Sequence, residues 1–480
     1  MFSAMRGTVI FGTLILGLLL PAAAGPLGLP APKSAPVIGN TLGNVRGAVN
    51  DTVGTATSTV NDTVGTAGGA VNETVGTATG VVGETVKGVT GVVGNTLNGV
   101  TGTLNGVLDP AGLDVAGRPA NPTLFEVDPN GARVVRGVVI AIALSDRARA
   151  TADTMGLEVA RTETLDPLDI EITRFKVPAE LATAQVLAKL RAADPDGAFD
   201  YEHIYDPAGR SGTRPTQAPP PRLARDDTMI GMIDAGVDRE HPALSNADIV
   251  VKATTEARGA SRATAHGTAV ASLLVGDDRT FQGALPGATL YAADAFAGSP
   301  TGGSAADIAR AIAWLAGKDV PVINISIAGP KNALLEAAVR SAIARGHVIV
   351  APVGNDGPAA LVRYPAAFDG VVAVTSVDAR RRVQLDANRG AATAFAAHGV
   401  DVRAANLSGT YGPVTGTSFA SPLVAARFAE LLARPDKDGA QLVRAVLVAE
   451  AGSGDRRDPI LGYGILVPPA QATASNPTKP

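Results

Sequence analysis

The heptapeptide GTSFASP at residues 416–422 places Ser418 two positions after a glycine, at the start of an apolar helical run. The N-terminus of a helix presents backbone N–H groups and a positive dipole end, which stabilise negative charge that develops beside them. A hydroxyl is a poor nucleophile by itself and needs both a base and a group that orients the base. The heptapeptide therefore predicts a nucleophilic serine if the chain also supplies a histidine and a carboxylate.

Two upstream segments supply these groups. In MIGMIDAGV, residues 229–237, a short apolar strand ends at Asp234 and a glycine turn follows. In HGTAVASLL, residues 266–274, a helix begins at His266. Taken singly, the aspartate could be a turn residue, the histidine a structural residue and the serine an N-cap. Their combination, in the order Asp234, His266, Ser418, is far more specific than any one of them.

The three segments resemble the signature segments of the subtilisin-like serine proteases, the subtilases, and the resemblance covers about residues 226–467. It implies a serine endopeptidase that hydrolyses peptide bonds through an acyl-enzyme intermediate. In that mechanism Ser418 attacks the carbonyl carbon, His266 transfers the proton and Asp234 orients the imidazole. The chemistry needs no metal. A structural calcium ion stays open, although no oxygen-ligand loop can be identified in the sequence.

A fourth segment, VAPVGNDGP at residues 350–358, resembles the subtilase segment whose asparagine donates to the oxyanion. The resemblance implies that Asn355 is this donor, with the Ser418 backbone N–H beside it. By itself the segment could be a plain turn. The resemblance also implies two walls that contact the substrate, formed by Ser326, Ile327, Ala328 and Gly329, and by Val353 and Gly354. Ala328 replaces a usual glycine, which predicts a preference for small or medium side chains before the cleaved bond.

Strands and helices alternate from residue 229 onward, which is typical of a parallel sheet covered on both faces. The predicted class is α/β, with a subtilisin-like doubly wound parallel sheet in a catalytic domain at residues 226–467. Functional sites of such sheets lie beyond the carboxyl ends of the strands. Asp234 and Asn355 both follow predicted strands, so both are expected at that edge. Residues 468–480 are predicted to be a C-terminal tail.

Residues 122–207 predict a separate α+β domain with the order β-α-β-β-α-β, which is ferredoxin-like. Its topology resembles the propeptide domain of subtilases, which implies an intramolecular chaperone and inhibitor of the attached protease. An unrelated accessory domain is the alternative. Residues 208–225, rich in proline, arginine and glycine, predict an exposed linker that could be cleaved.

The N-terminal quarter of the chain has a different character. Residues 1–24 contain Arg6, an apolar run and a small-residue motif, which predict a signal peptide cut after Ala24. An uncleaved anchor is the alternative, but the apolar run is short for a bilayer span. The protein is therefore expected to be exported, as a secreted, periplasmic or cell-surface protein.

Residues 25–121 are a low-complexity region, and residues 38–108 contain an 11-residue repeat in which apolar residues recur with helical spacing. Glycine and threonine on the other faces weaken such a helix in water. We expect a helix that becomes ordered on a membrane or another surface. A flexible spacer is an equally open alternative.

Composition limits the remaining function classes. The net charge of −4 over 480 residues gives no nucleic-acid footprint, and the chain has no cysteine. Two other functions stay open: a catalytically inactive binding protein on a subtilase fold, and a surface protein whose main activity lies in the repeat. An α/β-hydrolase esterase is disfavoured, because Ser418 lacks the Gly-x-Ser-x-Gly elbow and the order Asp-His-Ser differs from that fold.

Overall fold

The computed structural model describes residues 121–207, 209–212, 216, 227–256, 260–298, 303–452 and 456–467. The predicted signal peptide, the 11-residue repeat and the C-terminal tail lie outside the described residues. In the described ranges, no helix combines the length and the apolar character of a membrane span. The same ranges contain no group of three or more acidic or histidine side chains that could hold a metal ion.

Residues 125–203 form a small antiparallel sheet with two helices. Its elements are β1 (Phe125–Val127), β2 (Arg133–Ile142), α1 (Asp146–Thr154), β3 (Glu158–Leu165), β4 (Ile170–Lys176), α2 (Thr183–Ala193) and β5 (Ala198–His203). The strands lie in the order β1-β2-β4-β3, with β5 also paired to β2. Both helices pack on one face of this sheet, where Ala148, Ala152, Val186, Leu187 and Leu190 are buried in a common core. The ferredoxin-like classification and the propeptide role stay predictions.

The larger part of the protein is built on an eight-stranded parallel sheet. Its strands are β8 (Met229–Asp234), β9 (Ile249–Ala253), β10 (Thr289–Asp294), β11 (Val322–Ile325), β13 (Val348–Pro352), β14 (Val372–Val377), β15 (Thr393–His398) and β18 (Ile465–Val467). They lie in the order β18-β15-β14-β13-β11-β8-β10-β9. Most of these strands are continuous apolar runs, as expected of a sheet that is buried on both faces.

Helices cover both faces of this sheet, so the predicted doubly wound α/β architecture is confirmed. The helices are α3 (Ala265–Val275), α4 (Ala305–Ala316), α5 (Ala333–Ala344), α6 (Thr417–Leu431) and α7 (Lys437–Ala451). Helices α3, α6 and α7 contribute to one hydrophobic core. Helices α4 and α5 contribute to a second core on the other face. The candidate functional site lies where β8, α3 and α6 meet.

Two short pairings join the segment after the small domain to the larger one. β6 (Asp206–Pro207) runs antiparallel to β12 (Ile327–Ala328). β7 (Arg210–Ser211) runs antiparallel to β17 (Tyr411–Thr415), which in turn pairs with β16 (Val402–Ala405). Of these two strands only β7 lies in the predicted exposed linker, where its backbone partner is β17 of the larger domain.

His398 ends β15 and is fully buried, with its Nε2 atom 3.1 Å from the hydroxyl of Thr216. Burial lowers the pKa of His398 from 6.5 to about 4. The folded state therefore favours the neutral imidazole. Its contribution to stability is fully present above pH 6.5 and is lost as the pH falls toward 4.

We predict that His398→Gln flattens the acid loss of stability, because glutamine keeps a hydrogen-bonding group but does not titrate. The difference in unfolding free energy between neutral pH and about pH 4 should shrink by about 3 kcal/mol. Thermal unfolding at both pH values measures it, with Ser418→Ala present in both proteins to prevent self-digestion. Equal pH dependence of the two proteins would show that the imidazole does not titrate on unfolding.

Candidate active site

Asp234 and His266 are joined by a hydrogen bond. Asp234 is the last residue of β8 and is fully buried. His266 is the second residue of α3, and its Nδ1 atom lies 2.9 Å from each carboxylate oxygen of Asp234. A carboxylate can only accept, so Nδ1 carries the proton and donates it. The other ring nitrogen, Nε2, is thereby left as an acceptor.

The hydroxyl of Ser418 lies on the other side of the imidazole. Its Oγ atom is 3.0 Å from Nε2 of His266. Ser418 is the second residue of α6, so its backbone N–H belongs to the first helical turn, where intrahelical acceptors are missing. The three side chains that the sequence singled out therefore form one hydrogen-bonded chain, Asp234–His266–Ser418.

Gly267 allows the first turn of α3 to lie close to the end of β8. Thr264 caps α3 by accepting from the backbone N–H of Gly267 at 3.1 Å. A Cβ atom on Gly267 would lie 2.3 Å from the carbonyl oxygen of Ala235. Any side chain at this position would push the first turn of α3 away from the end of β8. Gly267 thus permits the contact between His266 and Asp234.

A second buried carboxyl group lies beside Asp234. Asp294 ends β10 and is paired in register with Asp234. It accepts from the Ser261 hydroxyl at 2.6 Å and from the Phe296 backbone N–H at 2.9 Å. Burial raises the pKa of Asp294, and the charge of Asp234 adds to this rise. The ionised form of Asp294 is therefore less stable beside a charged Asp234 than it would be in water.

Asn355 follows β13 and faces the start of α6. Its Oδ1 atom accepts from the backbone N–H of Thr417 at 3.0 Å and from Nε2 of Gln384 at 2.9 Å. Both donors act on the oxygen, so the orientation of the amide is defined and its NH2 group is turned away from them. The backbone N–H of Thr417, directly before Ser418, therefore helps to position the donor that the sequence predicted.

The residues predicted to form the substrate walls fall into two groups. Ile327 and Ala328 pair through their backbones with Pro207 and Asp206. The Ser326 hydroxyl instead donates to the Ser418 carbonyl oxygen at 2.9 Å, and Val353 is fully buried in the core under α4 and α5. The side chain of Ser326 thus supports α6, and that of Val353 supports the sheet.

Two of the predicted wall residues, Gly329 and Gly354, have neighbouring atoms where a Cβ atom would lie. A Cβ atom on Gly329 would lie 2.3 Å from the ring of Tyr205. Gly354 has a φ of +106°, and a Cβ atom there would lie 2.8 Å from the side chains of Arg363 and Asn388. Both positions therefore require glycine, one for a neighbouring ring and one for the backbone conformation.

The chain that follows the small domain crosses this site. Tyr205 is fully buried, its backbone N–H donates to Gly303 at 2.9 Å, and its hydroxyl donates to the Pro330 carbonyl oxygen at 2.8 Å. Farther along, a Cβ atom on Gly209 would lie only 2.7 Å from Oγ of Ser418. The chain therefore lies next to the Ser418 hydroxyl at Gly209.

The small domain also contacts the helices beside the site. The backbone N–H of Ala333, at the start of α5, donates to the Asp200 carboxylate at 2.8 Å, which complements the positive end of the helix. Nδ2 of Asn332 donates to the Tyr201 carbonyl oxygen at 2.9 Å. Arg310 on α4 forms a 2.8 Å ion pair with Glu163. These contacts hold the end of the small domain next to the crossing segment.

Sequence reasoning missed three residues that contact the predicted ones. Thr417 and Gln384 hold the Asn355 amide, and the ring centroids of Phe419 and His266 lie 4.9 Å apart. Thr417 and Phe419 flank Ser418, so their position in the heptapeptide was a usable signal. Gln384 had no such signal, because it lies in a polar loop far from every recognised segment.

Comparison with known proteins identifies the class. The subtilase family, Peptidase_S8, matches residues 225–464. The chain is 35% identical to subtilisin DY of Bacillus licheniformis over 234 residues, which are 47% of this chain and 84% of that protein. It is 30% identical to subtilisin E of Bacillus subtilis (strain 168) over 214 residues, 43% of this chain, and spans just over half of that protein, 56%.

A solved structure shows the same fold. Fervidolysin from Fervidobacterium pennivorans, a keratinolytic enzyme related to subtilisin, superposes with a TM-score of 0.57 at 20% identity, over 70% of this chain and 60% of that chain. The chain belongs to the subtilase family, and its enzyme class is that of the subtilisin-like serine endopeptidases.

Proposed function

We propose that the protein is an exported serine endopeptidase that uses Asp234, His266 and Ser418 and is made as a self-inhibited precursor. The observation that carries the catalytic part is the unbroken chain of hydrogen bonds from the Asp234 carboxylate through His266 to Oγ of Ser418. Export is supported by the signal-like residues 1–24. An inactive binding protein is not favoured, because that hydrogen-bonded chain is complete.

Each side chain has a defined step in the reaction. Oγ of Ser418 attacks the carbonyl carbon while its proton moves to Nε2 of His266, which already accepts from it. The tetrahedral oxyanion is stabilised by the Asn355 amide and the Ser418 backbone N–H. As the C–N bond breaks, His266 gives the proton to the leaving amine and an ester on Ser418 remains. Water attacks this ester with His266 again as base, which releases the acid and restores the hydroxyl.

Peptide substrates bind as an added strand. The backbone of Ile327 and Ala328 already pairs with an extended segment, and such pairing accepts many sequences. The methyl group of Ala328 narrows the pocket between the two predicted substrate walls. We therefore expect small or medium side chains directly before the cleaved bond.

The small domain is the inhibitor in this proposal. Asp206 and Pro207 would take the strand position on β12 that a substrate uses, and Gly209 lies next to the Ser418 hydroxyl. While it stays in place, no other peptide can pair with β12. We propose that the enzyme cuts the bond between residue 208 and Gly209, and that loss of the small domain then opens the site.

N-terminal sequencing of the purified exported protein tests the precursor proposal. We expect a mature form that begins at Gly209 and hydrolyses casein, and a small-domain fragment that inhibits it when added back. Because the bond is cut by the protein itself, a phenylmethylsulfonyl fluoride treatment during refolding should block both the cut and the casein activity. A protein that hydrolyses casein fully while residues 122–207 stay covalently attached would contradict the proposed inhibition.

A further inference from the structure

Gln384 connects the interior of the sheet to the oxyanion donor. Its Nε2 atom donates to Oδ1 of Asn355 at 2.9 Å and to Oδ1 of Asp386 at 2.8 Å. Its Oε1 atom accepts from the hydroxyl of Ser376, which lies on β14 and is fully buried. Its backbone N–H donates to the Ser376 carbonyl oxygen at 2.9 Å.

These contacts define the orientation of the Gln384 amide. Both hydrogens on its nitrogen have acceptors, and its oxygen has a donor, so a flipped amide would lose all three contacts. The side chain is also buried, with 5% of the residue exposed. Gln384 is therefore a fixed donor whose position is set by β14, a strand that belongs to the rigid core.

The orientation of Asn355 depends on this fixed donor. An asparagine amide can present either its oxygen or its NH2 group to a ligand, and only the NH2 group stabilises an oxyanion. Oδ1 of Asn355 is held by Thr417 through the backbone and by Gln384 through a side chain. Without Gln384, Oδ1 loses the side-chain donor that holds it beside the Thr417 N–H, and the amide can rotate away from the position that the transition state requires.

We infer that Gln384 is a positioning residue for the reaction, which acts by holding the Asn355 amide with its NH2 group toward the developing oxyanion. The inference rests on the proposed function, because it requires Ser418 to form a tetrahedral intermediate. Gln384 itself does not contact the substrate carbonyl. Its contribution is therefore to the transition state, where the oxygen carries the charge, rather than to substrate binding.

Gln384→Glu is the direct test, because glutamate has nearly the same shape but presents an acceptor to Oδ1 of Asn355. We expect kcat on a chromogenic peptide to fall roughly 10- to 100-fold, with KM within about twofold, which is less than the loss expected on removal of the donor itself. Gln282→Glu, an exposed glutamine in another loop, is the matched control and should keep wild-type kcat.

A double-mutant cycle separates positioning from general structural damage. In the Asn355→Ala background, Gln384→Glu should change kcat by less than about twofold, because the amide that it positions is gone. Affinity for a peptide aldehyde, whose adduct with Ser418 carries the oxyanion, should fall by the same factor as kcat in the single variant. Affinity for the matching peptide alcohol, which forms no adduct, should stay unchanged.

Three outcomes would overturn the inference: unchanged kcat in Gln384→Glu, an equal loss in the Asn355→Ala background, or equal weakening of aldehyde and alcohol. If Gln384→Glu does not fold, Gln384→Met replaces it in the same kcat and affinity measurements, because methionine removes the donor without adding charge. Absence of turnover in the wild type would instead refute the proposed function, so the two failures are distinguishable.

Discussion

Ser418→Ala is expected to lower kcat on peptide substrates by roughly 10⁶-fold, the size of loss that subtilisin shows when its nucleophilic serine is removed. Without Oγ no acyl-enzyme can form, and the remaining groups can only assist attack by water. The same variant should accumulate as a precursor that is intact between residue 208 and Gly209, because the bond over Ser418 then meets no nucleophile.

The loss must come from chemistry and not from misfolding. Ser418 is fully buried at the start of α6, and alanine fits the same space without its hydroxyl. The thermal unfolding temperature of Ser418→Ala should therefore resemble that of the uncut wild-type precursor. Ser245→Ala, at an exposed serine, is the matched control and should keep wild-type kcat and normal processing. Processing of Ser418→Ala at the wild-type rate in a purified preparation would show that another protease cuts this bond.

Asp234→Asn is expected to lower kcat by about 10⁴-fold, the loss known for this exchange in serine-protease triads. The Ala235 backbone N–H donates to Oδ1 at 2.7 Å, so it would hold the asparagine oxygen in that position. The asparagine NH2 group then faces Nδ1 of His266, which must accept. Nε2 consequently carries the proton, and it can no longer take one from Ser418.

Asp294→Asn is the control that separates a change in the His266 tautomer from the loss of a buried negative charge. Asp294→Asn neutralises the neighbouring buried carboxyl group, which accepts from Ser261 and Phe296. It should change kcat by less than about tenfold. Steady-state kinetics of both variants near pH 8, with KM and kcat measured separately, makes the comparison. Equal losses in the two variants would mean that charge near β8, and not the hydrogen bond to Nδ1, is what the reaction needs.

The hydrogen-bonded set Asp234, His266 and Ser418 could be predicted from sequence because each residue lies in its own local pattern. Asp234 ends an apolar strand, and His266 and Ser418 each lie at the start of a helix. Because functional sites of parallel sheets lie beyond the carboxyl ends of the strands, secondary structure alone predicts all three residues at that edge. The doubly wound fold followed from the same alternation of strands and helices, since a buried parallel strand is apolar throughout.

The contacts that hold the site could not be predicted in the same way. Gln384 is a polar loop residue, and nothing in its neighbours indicates that the fold turns its amide toward Asn355. Strand β7 is two residues long and its partner β17 lies more than 100 positions away, so a stretch rich in proline and glycine predicted only a linker. Val353 was expected at a pocket wall, but its side chain faces the core.

Identification of the residue that reacts with a fluorophosphonate probe tests the central claim most directly. The mature enzyme should take up one probe per chain, and mass spectrometry of its peptides should place the label on Ser418. His266→Ala should remove the label, because no base then accepts the proton from Oγ. A protein that hydrolyses casein but carries the label on another residue, or labels Ser418 equally well without His266, would contradict the account.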